Sequence, residues 1–128
     1  MKGTVFTFLL SATAALLAAC GDGGSDANRH GVGADCATAD DCNEGQQCLA
    51  QFKGGYCGVT PCAGDPDCPA GSACIAHTDG ANYCFLVCME KFECNDHRLL
   101  ENEANCSASV TFVSGTMGRK ACVPPSGS

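Results

Sequence analysis

The chain has 128 residues, 13 of them cysteine, with seven basic against fourteen acidic side chains and a formal net charge of −7. Cysteine at about 10% marks a disulfide scaffold made in an oxidising compartment, and the acidic balance disfavours nucleic acid and anionic lipid surfaces as partners. At this length the chain makes one small domain or a string of very small modules.

Residues 1–19, "MKGTVFTFLLSATAALLAA", carry one positive charge, Lys2, then an uncharged apolar run that ends in small residues. This is the layout of a bacterial secretory signal peptide, to be left out of the fold. As a membrane span, Gly3 to Ala19 would be only 17 residues and includes Gly, Thr and Ser, which is short for the purpose. Cys20 follows directly, 16 residues before the next cysteine.

Leu17-Ala18-Ala19-Cys20 resembles the lipobox of bacterial lipoproteins: an aliphatic residue, two small residues and an obligatory Cys. The resemblance implies that the Cys20 thiol takes a diacylglycerol as a thioether. Cleavage then falls between Ala19 and Cys20, and the new amino group receives a fatty acyl chain such as palmitate. Two or three acyl chains hold a protein to a membrane at about 0.8 kcal/mol per buried CH₂, with no spanning helix. In enteric bacteria an Asp just after the lipidated Cys tends to retain lipoproteins in the inner membrane. Gly21 stands there instead, so the resemblance favours the outer membrane, with the domain in the periplasm or at the cell surface. Without Lys2 the mature chain has six basic against fourteen acidic residues, a net charge of about −8. Residues 20–35 then read as the lipidated Cys and a flexible Gly-rich tether, with a reach of roughly 20–25 Å. Arg29 and His30 read as solvated tether.

From Cys36 the chain repeats itself. Units 36–57, 62–84 and 88–122 each hold four cysteines, and 123–128 is left as a tail. Cys36, Cys62 and Cys88 are 26 residues apart, as are Cys42, Cys68 and Cys94, and Cys48 and Cys74; Cys106 shows a six-residue insertion in the third unit. An acidic residue precedes each second cysteine: Asp41, Asp67, Glu93. Gly45 and Gly71 lie three residues after it, fitting a turn that needs positive φ, whereas unit three has His97 there. Tyr56 and Tyr83 precede the fourth cysteine of their units and read as rings packed over a disulfide.

Twelve cysteines allow about ten thousand full pairings, and three if every unit closes on itself with one shared pattern. The spacing C-x5-C-x5-C-x8-C, with Asp before the second Cys and Gly three after it, resembles the Dickkopf N-terminal-like and colipase-like cysteine-rich modules. The resemblance covers 36–84 well and 88–122 loosely, and this chain lacks the Cys-Cys pair those modules often have, so their function does not carry over. It implies a crossed pairing of first with third and second with fourth. That pairs Cys36–Cys48, Cys42–Cys57, Cys62–Cys74, Cys68–Cys84, Cys88–Cys106 and Cys94–Cys122.

Between Cys36 and Cys122 six aromatic residues and nine of Leu, Ile and Val are too few to offset the ordering entropy of the segment. Cross-links must then carry the fold, at roughly 3 kcal/mol for a loop of about 13 residues. The expectation is a small disulfide-rich fold with little regular secondary structure: three tandem four-Cys units with short two-stranded β-ribbons. "ASVTFVSG" (108–115) is the best strand candidate, and "NDHRLLENEAN" (95–105) the one plausible helical turn.

No chemistry is indicated. Zinc sites use tight pairs such as C-x2-C, and the closest cysteines here are Cys84 and Cys88, so no metal and no cofactor is expected. A redox C-x-x-C is absent, and His77 and His97 lie in variable loops without a matched acid and nucleophile. Asp40-Asp41 and Asp65 with Asp67 could hold Ca²⁺ weakly, but capping of local turns is the stronger reading. Leu99-Leu100 and Phe85-Leu86-Val87 are the apolar candidates for contact. The function expected is a non-enzymatic, lipid-anchored structural or binding module with an unidentified protein partner. The alternative is a protease-inhibitor-like or toxin-like scaffold presenting the loop "IAHTDGANY" (75–83) as a binding segment.

Overall fold

The computed structural model describes residues 31–115 and 118–127. The longest strand comes from "NYCFLVC", where aromatic and β-branched residues alternate over Asn82–Cys88. It is β4, and it pairs antiparallel with β3 (Ser72–Ala76) in register Cys74↔Cys84. Around this hairpin, unit three supplies β5 (Asn105–Ser107), β6 (Thr111–Phe112) and β7 (Lys120–Val123). The strand order is β5-β7-β4-β3-β6, antiparallel throughout. Unit one forms a separate two-stranded ribbon of β1 (Gln47–Cys48) and β2 (Cys57–Gly58). The remaining regular elements are 3₁₀ turns of three or four residues, so among the described residues the fold is disulfide-rich and almost without helix.

Short two-stranded ribbons were the expectation; unit one forms one, while units two and three merge into a five-stranded sheet. The long stretch of unit three between Cys106 and Cys122 explains it, because the chain there is long enough to flank the unit-two hairpin on both sides. The same route explains why 108–115 contributes only Thr111–Phe112 as strand: the chain leaves β5 at one edge and must cross to β6 at the other. Segment 95–105 holds one short turn, Leu100–Asn102, rather than a longer helix. Its ends are fixed by the Cys94 and Cys106 disulfides. The Asn95 side chain also fastens it, donating to Ala104 O at 3.0 Å and accepting from Ala104 N at 2.7 Å.

A contiguous core is present despite the sparse apolar inventory. Val32, Tyr56, Ile75, Phe85 and Leu86 are fully or almost fully buried, with Leu49, Phe52 and Tyr83 beside them. The aromatics are shared between units: Phe52 meets Tyr83 at 5.1 Å and Phe85 at 5.7 Å, both edge-on, while Tyr83 and Phe85 stack at an interplanar angle of 6°. Concentrating four large rings in one cluster is how so few side chains suffice.

Both flanks are drawn into this core. Residues 31–35, read as the end of the tether, are built in: Val32 is fully buried, Gly33 N donates to Cys57 O, and Cys57 N donates to Ala34 O. The tail is likewise docked on unit one. Phe52 bridges to Ser126, Lys53 N donates to Pro125 O, and Gly127 N donates to Gln51 O.

Candidate functional site

Each unit is cross-linked in the same order. Cys36–Cys48, Cys62–Cys74 and Cys88–Cys106 join first to third, with Cα separations of 5.8, 5.9 and 6.0 Å. Cys42–Cys57, Cys68–Cys84 and Cys94–Cys122 join second to fourth, at 5.4, 5.5 and 5.5 Å. Because the two bridges of a unit cross, its first, second and fourth sulfurs lie within 4.8 Å of one another. Those sulfurs are already bonded to sulfur and hold no thiolate to offer a metal. Cys20 and Ala19, the lipidation and cleavage residues, lie outside the described residues.

The acidic residue before each second cysteine caps a turn. Asp41 Oδ2 accepts from Ala37 N at 2.8 Å and Thr38 N at 3.2 Å. Asp67 Oδ2 accepts from Ala63 N at 2.7 Å, and Glu93 Oε1 from Met89 N at 2.6 Å and Glu90 N at 2.8 Å. The two N–H groups hold the Asp41 carboxyl below its ordinary range. Asp65 accepts from Cys74 N at 3.0 Å and pairs with Arg119 at 3.4 Å. Asp41, Asp65 and Asp67 are therefore occupied with the backbone that surrounds the cysteines. After the caps of units one and two, Gly45 and Gly71 take φ of 86° and 84°, the left-handed conformation that glycine adopts without strain.

The loop 75–83 is a tight hairpin and not a free segment. Ile75↔Tyr83 and Ala76↔Asn82 are ladder pairs, and His77 N donates to Ala81 O. At its tip Asp79 Oδ2 accepts from the Tyr83 hydroxyl at 2.7 Å, which also receives Gln51 Nε2 of unit one at 3.0 Å. Burial, and next the Asp79 carboxylate, raise the Tyr83 pKa, while the Ala81 N–H and the Tyr83 hydroxyl lower that of Asp79. The His77 ring sits edge-on to Phe52, Tyr83 and Phe85 at 5.5–5.8 Å, so it belongs to the aromatic cluster. The tyrosines expected over disulfides are thus members of that cluster as well.

Beside the hairpin lies a shallow cleft of about 300 Å³ whose lining includes Ile75, His77, Thr78, Ser107, Ser109 and Thr111. Hydroxyls and one imidazole over an apolar wall suit a small polar ligand; among the described residues no carboxylate, ammonium or guanidinium lines the cleft.

Sequence reasoning passed over Arg98, the residue that joins unit three to unit one. Its side chain is fully buried, with Nε donating to Asn102 O at 2.8 Å and Nη1 to Gly33 O at 3.1 Å and Gly55 O at 2.9 Å. Nη2 donates to Lys53 O at 2.8 Å. Asp35 lies 3.3 Å away as the ion-pair partner, and the guanidinium stands over the Tyr56 ring at 5.4 Å. Burial lowers its pKa, opposed by the Asp35 charge. Nothing in the cysteine repeat points to this residue, because it lies in the insertion that breaks the repeat.

Of the two apolar contact candidates, Phe85-Leu86-Val87 is overturned: Phe85 and Leu86 are fully buried in the central strand. Leu99 and Leu100 remain exposed, at 63% and 82%. Among the described residues no helix is long and apolar enough to cross a membrane. Comparison with protein-family models, curated proteins and solved structures finds no match to this chain.

Proposed function

We propose that the chain is a lipid-anchored, non-catalytic module of a bacterial cell envelope, with its disulfide domain held outside the cytoplasm by acyl groups on Cys20. The observation that carries this reading is cysteine parity. Six disulfides take up twelve of the thirteen cysteines and leave Cys20, the one that ends Leu17-Ala18-Ala19-Cys20 after an apolar run. Folded disulfides at this density also require the oxidising compartment that a signal peptide leads to. The cleft beside the hairpin supports a binding role over a purely structural one.

The test is the intact mass of protein from the membrane fraction, before and after reduction and alkylation. A mass of residues 20–128 plus acyl groups, with twelve thiols alkylated only after reduction, is expected. An unmodified Cys20 rejects the anchor, and free thiols before reduction reject the six-disulfide scaffold.

A further inference from the structure

We propose that the cleft beside the hairpin binds a neutral saccharide, holding a single pyranose ring. The proposal rests on the binding role read from that cleft and names the class of its ligand.

The cleft follows from how the sheet is connected. β5 and β6 are the outer strands of the five, and in a flat sheet they would stand roughly 19 Å apart. Only residues 108–110 join Ser107 at the end of β5 to Thr111 at the start of β6, a reach of at most about 14 Å. The sheet is therefore curled, and its two edges come together around one site. Asn105 and Ser107 of β5 line it with Thr111 of β6, beside Ile75 of β3 and Val123 of β7.

The lining selects the ligand. Among the described residues, the side chains of Thr78, Asn105, Ser109 and Thr111 face the cleft without a partner in the protein. Each of these hydroxyls and the amide offers both a donor and an acceptor, as every sugar hydroxyl does. Ser107 Oγ accepts from Ser109 N at 3.0 Å, which fixes the turn that carries Ser109. Ile75, Val110 and Val123 supply the apolar wall that the C–H face of a pyranose covers. Asp79, next to Thr78 in the chain, is occupied by Ala81 N at 2.9 Å and the Tyr83 hydroxyl at 2.7 Å, and it does not line the cleft. A carboxylate, phosphate or ammonium would thus enter without an opposite charge and lose its hydration uncompensated. About 300 Å³ is at the small end for a ligand site and suits one ring rather than a chain of them.

The experiment is an amide ¹H–¹⁵N titration of the full acylated chain in dodecylphosphocholine micelles, which carry no sugar. The probes are the methyl glycosides of glucose, galactose and mannose, and N-acetylglucosamine. Each is taken to about 10 mM, because a ligand of one ring binds at about 1 mM. At least one is expected to shift the amides of 75–78 and 105–111 saturably, with the rest of the spectrum unchanged. Thr111→Val and Ser109→Ala each remove one hydroxyl and are expected to weaken that binding at least fivefold, with amides outside the cleft keeping their positions. Glucosamine and glucuronate are expected to bind at least fivefold more weakly than the neutral sugar. No saturable shift with any neutral probe overturns the proposal. Equal binding of the charged sugars, or shifts that neither variant weakens, overturns it as well. Tetra-alanine blocked at both ends that shifts the same amides when no sugar does overturns the saccharide and keeps the binding role. If neither sugar nor peptide binds, that role falls with it. Intact mass of the same samples reports the acyl groups and the disulfides, so the anchor is judged separately.

Discussion

Arg98 brings one buried positive charge to four backbone carbonyls that face inward, and replacing it leaves those oxygens without a donor. Leaving such a group unpaired costs far more than the net gain of making its bond. Arg98→Met is expected to destabilise the domain by about 3–5 kcal/mol, read as a lower urea midpoint with unchanged slope. Arg98→Lys keeps the charge yet cannot fork to Gly33, Lys53, Gly55 and Asn102 together, so it is expected to recover less than half of that loss. Full recovery with Lys would mean that charge alone matters at this site. The neighbouring Tyr56 gives a second prediction. Its hydroxyl accepts from Leu86 N at 3.1 Å inside the core, and burial pushes its pKa from 10.0 up to about 12. The folded state thus favours the neutral phenol. The stability this contributes is complete below pH 10.0 and is lost as pH rises from there toward about 12. A tyrosinate absorbance titration should lag that of the urea-unfolded chain, and Tyr83→Phe should leave the later of the two steps. A Tyr56 that ionises together with the unfolded reference would contradict its burial.

The turns that precede the second cysteines show how local chemistry was readable while its setting was not. Asp41, Asp67 and Glu93 recur at one position for a reason visible in the sequence: a short acidic side chain satisfies backbone N–H groups that a tight 3₁₀ turn leaves free. The expectation is that Asp41→Ala weakens the first unit above pH 4 and removes part of the acid sensitivity of the domain. The sign follows from the lowered Asp41 pKa. A carboxyl depressed in the folded state adds stability above its unfolded value of 3.8, and that stability fades as pH falls through the folded value. Thermal melts of wild type and Asp41→Ala should therefore converge at low pH; parallel curves would show that the carboxylate is not the cap that matters. Strand positions were harder to read. Val110 and Phe112 alternate as a strand should, yet only Thr111–Phe112 pairs, because pairing depends on which edges of the β3–β4 hairpin are free. "NYCFLVC" has no polar alternation, since a central strand is buried on both faces, and so it passed for an apolar contact spot.

Three units of four cysteines suggest three independent modules, and the cross-unit contacts argue for one. Repeat proteins stabilise each unit by its nearest neighbour, and their melting can break into parts. Here unit three contributes strands to both edges of the unit-two hairpin, and its Arg98 fastens unit one. The ring of Phe52 from unit one packs on Tyr83 and Phe85 of unit two, and the tail after Cys122 returns to Phe52. No unit can lose its structure without exposing the aromatic core of the others. Spacing revealed the repeat but not this interlock, because the connecting residues, Arg98, Asn102 and Asp35, fall in the insertion and in the segment before the first cysteine. Calorimetry with the disulfides intact is therefore expected to give a single transition, with van't Hoff and calorimetric enthalpies equal. Replacing both Cys62 and Cys74 by Ala should lower that one transition as a whole, because the unit-two loop it frees carries the hairpin on which the other units assemble. A melt that splits into two steps in this variant, with units one and three unfolding at their original temperature, would mean that the modules stand alone after all.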